Sequence, residues 1–361
     1  MSESRPAGAS AQENFTGVRP VASQHRFDAA RLCAYLREHL DPAIETLGVA
    51  QFKGGQSNPT YLLEAAGRRF VLRRKPPGEL LASAHAVERE FRVIRALEGT
   101  QVPVARVHLL CEDAAVIGTA FYVMDYVEGR VFWDPTLPGL TAAQRASIYD
   151  ELNRVIAALH AVEPAAVGLQ DYGRPGGYVE RQVARWTKQY RAAETERIEA
   201  AERLIEWLPR HVPAEGLTRI VHGDYRIDNV IFHPSEPRIL AVLDWELSTL
   251  GDPLVDFAYH CLCWRLPFDT LRGMGGVDLA PLGIPSEPQY LHAYLRRTGA
   301  REVSARDWTY YLVFNMFRLV GILQGVAARA LQGNASSALA LETGRRSRPL
   351  AEQAWALAQM L

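Results

Sequence analysis

The chain has 361 residues, 48% hydrophobic and 22% charged, and its 40 Lys plus Arg almost balance its 41 Asp plus Glu. That length exceeds most single domains, so two lobes in one chain are expected. The near-neutral balance argues against a nucleic-acid or membrane-surface partner and is that of an ordinary globular protein.

The opening stretch MSESRPAGASAQENFTG contains no apolar run able to serve as a signal-peptide core, and its Ser, Ala, Gly and Pro content suits a disordered tail over residues 1–25. A cytoplasmic location is the resulting expectation. Cys33, Cys111, Cys261 and Cys263 have no C-x-x-C spacing and read as buried, reduced thiols rather than a disulfide or zinc site.

In chain order, Leu32, Tyr35, Leu36 and Leu40 recur at helical spacing until Asp41-Pro42 interrupts them, which predicts a helix over 27–40. Three short runs, 50–53, 60–64 and 69–73, alternate with turn residues and predict antiparallel strands. The turn Gly54-Gly55-Gln56-Ser57-Asn58-Pro59 between the first two would let backbone approach a ligand, with its amides turned to an anion; by itself it also reads as a plain hairpin turn. Val87, Phe91, Ile94 and Leu97 share one face of a helix predicted over 84–97. Strands at 105–111 and 119–126 complete an N-terminal lobe, residues 26–127, and Glu128-Gly129 is a natural exit from the sheet.

The remainder, 128–361, is predicted to be a mainly helical lobe, with helical segments at 143–159 and 178–207 and further ones after Leu254. The apolar stretch 310–331 carries Asn315, Arg318, Gln324 and Arg329 and reads as a helix buried in protein, not a membrane span. The fold class is therefore α+β. One island of strands, from Ile220 to Leu243, interrupts the helices.

That island bears the chemistry. It reads Val221-His222-Gly223-Asp224-Tyr225-Arg226-Ile227-Asp228-Asn229, then Val242-Leu243-Asp244-Trp245-Glu246. Carboxylates at Asp224 and Asp244 and a carboxamide at Asn229 are hard oxygen donors that suit Mg²⁺ and leave room for phosphate and water. Phosphoryl transfer needs such a set: one carboxylate to orient the incoming hydroxyl, others to hold the metal. Taken singly, Asp and Asn in loops are turn or cap residues; it is their combination at strand ends that points to chemistry.

His222-Gly223-Asp224 with Asn229, followed by Leu243-Asp244-Trp245-Glu246, resembles the aminoglycoside phosphotransferase and choline kinase-like family, over roughly residues 27–335. The resemblance implies a two-lobed protein-kinase-like fold, ATP and Mg²⁺ as cofactors, Asp224 as catalytic base, and Asn229 and Asp244 as metal ligands. It implies a bracing role for His222 and, for Asp256 in Asp252-Pro253-Leu254-Val255-Asp256, hydrogen bonds to the catalytic loop.

In the first lobe it implies nucleotide contacts from Gly54, Gly55, Ser57 and Asn58, from Val71 over the adenine and Arg73 at the phosphates, and from the hinge at Met124, Asp125 and Val127. Arg stands at 73 where protein kinases carry Lys, so Arg74 and Lys75 are alternative clamps; Glu90, in preference to Glu88, is the implied partner of the strand cation.

The segments 177–186 and 315–326 are similar to kinase-like domains associated with acyl-CoA dehydrogenases, which suggests a hydroxyacyl-CoA as acceptor. The expected activity is transfer of the γ-phosphoryl group of ATP to a small-molecule hydroxyl. Aminoglycoside phosphorylation, a nucleotide-binding pseudokinase and, last, a metal-dependent phosphoesterase are the alternatives. Gly273 to Pro288 is a candidate acceptor loop.

Overall fold

The structure, a computed structural model, describes residues 17–53, 58–77, 86–268, 271–332 and 340–361. Contacts divide the chain into two compact units, one of residues 1–155, 226–248 and 282–284, the other of 156–225, 249–281 and 285–361.

The first unit is built on a six-stranded antiparallel sheet of β1 (Val18–Arg19), β2 (Gly48–Phe52), β3 (Thr60–Ala65), β4 (Arg68–Arg74), β5 (Val107–Cys111) and β6 (Phe121–Asp125). The spatial order is β1-β2-β3-β4-β6-β5. In β4 the predicted period of two operates directly. Phe70 and Leu72 join Tyr61, Leu63, Phe121 and Val123 in a core that also takes Leu32 and Leu36 of helix α1 (Ala29–His39). Val71 and Arg73 point to the opposite face. α1 begins because Asp28 accepts from the amides of Ala30 and Arg31, a side-chain cap at its N-terminus.

Helix α2 (Val87–Leu97) buries Val87, Val93, Ile94 and Leu97, together with Glu90. A one-turn helix α3 (Ala114–Ile117), too short for periodicity to reveal, is capped by Asp113 and ends on left-handed Gly118. Helix α4 (Ala142–Ala161) follows.

The sequence suggested one strand island; the structure contains two separate two-stranded ladders. In the first unit β8 (Val230–Phe232) pairs with β9 (Ile239–Val242). In the second, β7 (Arg219–Val221) pairs with β10 (Thr249–Gly251), a strand too short to announce itself. Gly129 passes so close to β8 that a Cβ there would lie 2.2 Å from the Phe232 carbonyl oxygen. The absent side chain permits the paired bonds of Arg130 with Phe232, both 2.8 Å.

The second unit is helical: α5 (Tyr178–Ala192), α6 (Glu199–Trp207), α7 (Pro253–Cys261), α8 (Glu287–Thr298), α9 (Ala305–Leu331), α10 (Ala340–Arg345) and α11 (Ser347–Ala358). The helical stretch predicted over 178–207 is broken between α5 and α6, where Gln324 Oε1 accepts from both the amide and the hydroxyl of Thr195. α9 is long and apolar enough to cross a membrane, but 72% of its most apolar window is buried inside the protein. Its polar residues have partners there: Asn315 donates to the Val255 and Tyr311 carbonyls, and Gln324 Nε2 to Ser347 Oγ. All four cysteines are free, three buried and Cys263 half-buried.

Candidate active site

A cavity of about 460 Å³ opens in the first unit. Its walls come from the non-core face of the sheet, through Leu62, Val71 and Met124, and from β8 and β9, through Ile231 and Val242. Of the residues singled out from the sequence, Val71, Arg73, Met124, Asp125, Val127, Asn229 and Asp244 all line it. Gly54, Gly55 and Ser57 lie outside the described residues.

Arg73 is the hub of the polar end. Its Nε lies 2.7 Å from Glu90 Oε2, while its Nη2 donates to Asp244 Oδ1 at 2.6 Å and Glu246 Oε2 at 3.4 Å. Strand alternation turns Arg74 to the other face, and Lys75 lies just past the end of β4. Arg74 Nη1 donates to the Ile117 carbonyl, with its guanidinium over the Phe27 and Tyr61 rings, and Lys75 pairs with Glu88. Three cations in a row thus have three destinations.

Glu90 is 1% exposed and receives two further bonds, from Asn58 Nδ2 at 2.7 Å and the Tyr122 hydroxyl at 3.2 Å. Burial pushes its carboxyl up, with Arg73 opposing and Asp244 adding to the rise. Burial draws the Arg73 guanidinium down, but Glu90 and Asp244 outweigh it and the net shift is upward. Tyr122 and Glu246 belong to this network although the sequence reading did not select them. The legible signals were the alternation of Tyr122 with Met124 on β6 and the adjacency of Glu246 to Asp244.

Asp244 has φ +62° and ψ +61°, a left-handed conformation uncommon for a residue with a side chain. Bonds on both sides impose it: the Leu243 amide donates to the Asn229 carbonyl at 2.8 Å, and the Trp245 indole donates to the Val242 carbonyl at 3.0 Å. The first of these ties the segment of Asn229 to that of Asp244. At the sheet's exit, the Asp125 amide donates to the Arg106 carbonyl and its carboxylate meets His108 Nε2 at 2.7 Å.

The loop of His222, Gly223 and Asp224 leaves β7 in the second unit. Asp256, at the start of α7, accepts from the amides of His222 at 2.7 Å and Gly223 at 2.8 Å, and its Oδ2 lies 3.1 Å from His160 Nε2. Burial raises the Asp256 carboxyl, but the His160 bond and the nearby imidazoles outweigh it and hold it below the usual range. Gly223 sits at φ +84°, a region where a side chain would be strained. Among the described residues no cluster of three or more His, Cys, Asp or Glu is arranged to hold a metal by itself.

The phosphotransferase enzyme family is matched over residues 48–309. Mouse acyl-CoA dehydrogenase family member 10 is 51% identical over 341 residues, covering 94% of this chain and 32% of that protein. Human acyl-CoA dehydrogenase family member 11 is 41% identical over 350 residues, covering 96% of this chain and 44% of that protein. The chain thus spans less than half the length of these relatives. A crystal structure of a candidate aminoglycoside phosphotransferase from Ralstonia eutropha is 53% identical, with a TM-score of 0.85, and covers 93% of this chain and 99% of that one.

An aminoglycoside phosphotransferase in ternary complex with ADP and hygromycin B shares the fold at 16% identity and a TM-score of 0.58, covering 90% of this chain and 97% of that one. The fold is protein-kinase-like, and its class is that of the small-molecule phosphotransferases. The chain belongs to the phosphotransferase enzyme family.

Proposed function

We propose that this protein transfers the γ-phosphoryl group of ATP to a hydroxyl of an acyl-CoA, with Asp224 as the base. The observation that carries the reading is the Arg73 hub: a buried strand cation paired with a helix carboxylate and reaching Asp244 at the end of the cavity. The cavity's apolar walls, Leu62, Val71, Met124 and Val242, suit the faces of a purine, with Asp125 and Val127 offering backbone at its edge. Asn229 and Asp244 bring hard oxygen donors to the same cavity, and the Asp244 side chain is still 34% exposed, which fits a magnesium ligand.

Asn229 and Asp244 would hold the metal; when bound, it neutralises charge on the transferring phosphates. Arg73 would be the cation for the nucleotide phosphates, its planar fork suited to two oxygens at once. Glu90, braced by Asn58 and Tyr122, keeps that guanidinium in place. Asp224 accepts the proton of the acceptor hydroxyl as it attacks. The acyl-CoA class is supported by relatives whose names place the matching segment within acyl-CoA dehydrogenase family proteins. The four unpaired thiols suit a reducing compartment, the cytoplasm in our reading.

The test is an acceptor screen: purified protein with Mg²⁺ and ATP, ADP release followed over hydroxyacyl-CoAs of several chain lengths, free hydroxy acids, choline and aminoglycosides. Acceptor-dependent release with hydroxyacyl-CoA that disappears in Asp224→Ala supports the proposal. Release only with an aminoglycoside moves the acceptor class, and nucleotide binding without release for any acceptor favours the pseudokinase reading.

A further inference from the structure

The peptide that carries Asp224 into its loop is held at both ends. Its carbonyl, that of Gly223, accepts from Arg318 Nη2 at 2.6 Å, and its N–H, that of Asp224, donates to His222 Nδ1 at 3.2 Å. The two preceding amides are already taken by Asp256. Gly223 has no side chain to confine it, so its own stereochemistry does not fix the peptide plane; the polar contacts do.

Arg318 reaches this carbonyl from α9. It is 7% exposed, with its guanidinium 4.4 Å from the Tyr259 ring centroid and 5.3 Å from that of Trp186. Among the described residues no carboxylate forms an ion pair with it, in contrast to buried Arg73, which pairs with Glu90. A buried guanidinium without a carboxylate lacks the attraction that usually offsets its desolvation, and aromatic faces return only about 1–2 kcal/mol of it. For packing alone, an apolar side chain on α9 would serve better.

We infer that Arg318 is a positioning residue for the reaction: it sets the plane of the Gly223–Asp224 peptide and thereby the direction in which the Asp224 carboxylate is presented. The inference rests on the reading of Asp224 as base. Asp256 holds the amides of His222 and Gly223, and Arg318 holds the Gly223 carbonyl. The guanidinium acts through the peptide and touches no reacting atom.

Arg318→Gln and Arg318→Lys, made in the full chain, test this with four readouts: ADP release, nucleotide affinity by calorimetry, melting temperature, and amide exchange across His222 to Asp224. In Arg318→Gln, kcat is expected to fall about 100-fold, the cost of a reacting group displaced by about 1 Å, with nucleotide affinity unchanged and partial recovery on adding guanidinium ion. Exchange at the Asp224 amide should quicken while the His222 and Gly223 amides, held by Asp256, stay protected. Arg318→Lys, which keeps a donor and a charge, should lie between.

Unaltered exchange at Asp224 in a folded variant overturns the inference. So does a kcat loss that tracks an equal loss of nucleotide affinity and melting temperature. If the wild-type protein turns over no acceptor, the proposed function fails, and amide exchange still decides whether Arg318 sets this peptide.

Discussion

Replacing Arg73 by Met would leave Glu90 buried with its charge uncompensated, since Asn58 and Tyr122 supply hydrogen bonds but no positive charge. Breaking a buried ion pair in this way costs about 3–5 kcal/mol if the survivor stays ionised. Glu90 has an alternative, which is to take up a proton. With an ordinary carboxyl value of 4.5, holding it neutral at pH 7 costs about 2.5 units times 1.36, or ~3.4 kcal/mol.

Protonation therefore caps the loss at about 3 kcal/mol at pH 7. A carboxyl held neutral in the folded state and ionised in the unfolded one makes the folded state bind more protons, so stability falls as pH rises above 4.5. The deficit of Arg73→Met against wild type should shrink by about 1.4 kcal/mol for each unit from pH 7 towards pH 5.

Urea unfolding of both proteins at three pH values measures this, and the double variant Arg73→Met, Glu90→Met should recover most of the loss by removing the stranded carboxyl. A deficit independent of pH, or a double variant less stable than the single one, would refute the assignment of the cost to Glu90.

Asp224→Ala should abolish turnover while calorimetry still finds nucleotide binding, whereas Asp244→Ala should weaken magnesium-dependent nucleotide binding at least about tenfold; retained turnover in Asp224→Ala would reject the base. Gly129→Ala sets a Cβ 2.2 Å from the Phe232 carbonyl oxygen and 2.5 Å from Ile231 Cγ2. The resulting overpacking should destabilise by about 1–3 kcal/mol, and an unchanged urea midpoint would contradict that crossing.

His260 is buried between the Tyr225 carbonyl and the Tyr290 hydroxyl, and burial lowers it from 6.5 to about 4. The unfolded state then binds the proton first, so wild type should lose about 2 kcal/mol of stability between pH 6.5 and pH 5. In His260→Gln that acid-side slope should flatten by about one proton, as read from urea midpoints across the same range.

Much of this protein is legible in its sequence because local rules act there without competition. Alternation in β4 separates Val71 and Arg73 from Phe70 and Leu72, and helical spacing in α2 marks its buried face. The loop motifs at His222 to Asn229 and at Asp244 announce the family through residue type and order. Short elements stayed hidden: β10 and α3 span three and four residues, too few for any period to repeat.

The destinations of charges were also out of reach. The sequence offers Arg73, Arg74 and Lys75 as three adjacent cations; only the ladder between β3, β4 and β6 decides which one meets Glu90. Arg318 lies on a helix 95 residues from Gly223, and no local pattern connects them. Sequence by itself determined the periodicities and the motifs, which depend on neighbours a few bonds away. Tertiary structure decided the pairing of buried charges, because a charge withdrawn from water must find its partner wherever the fold supplies one.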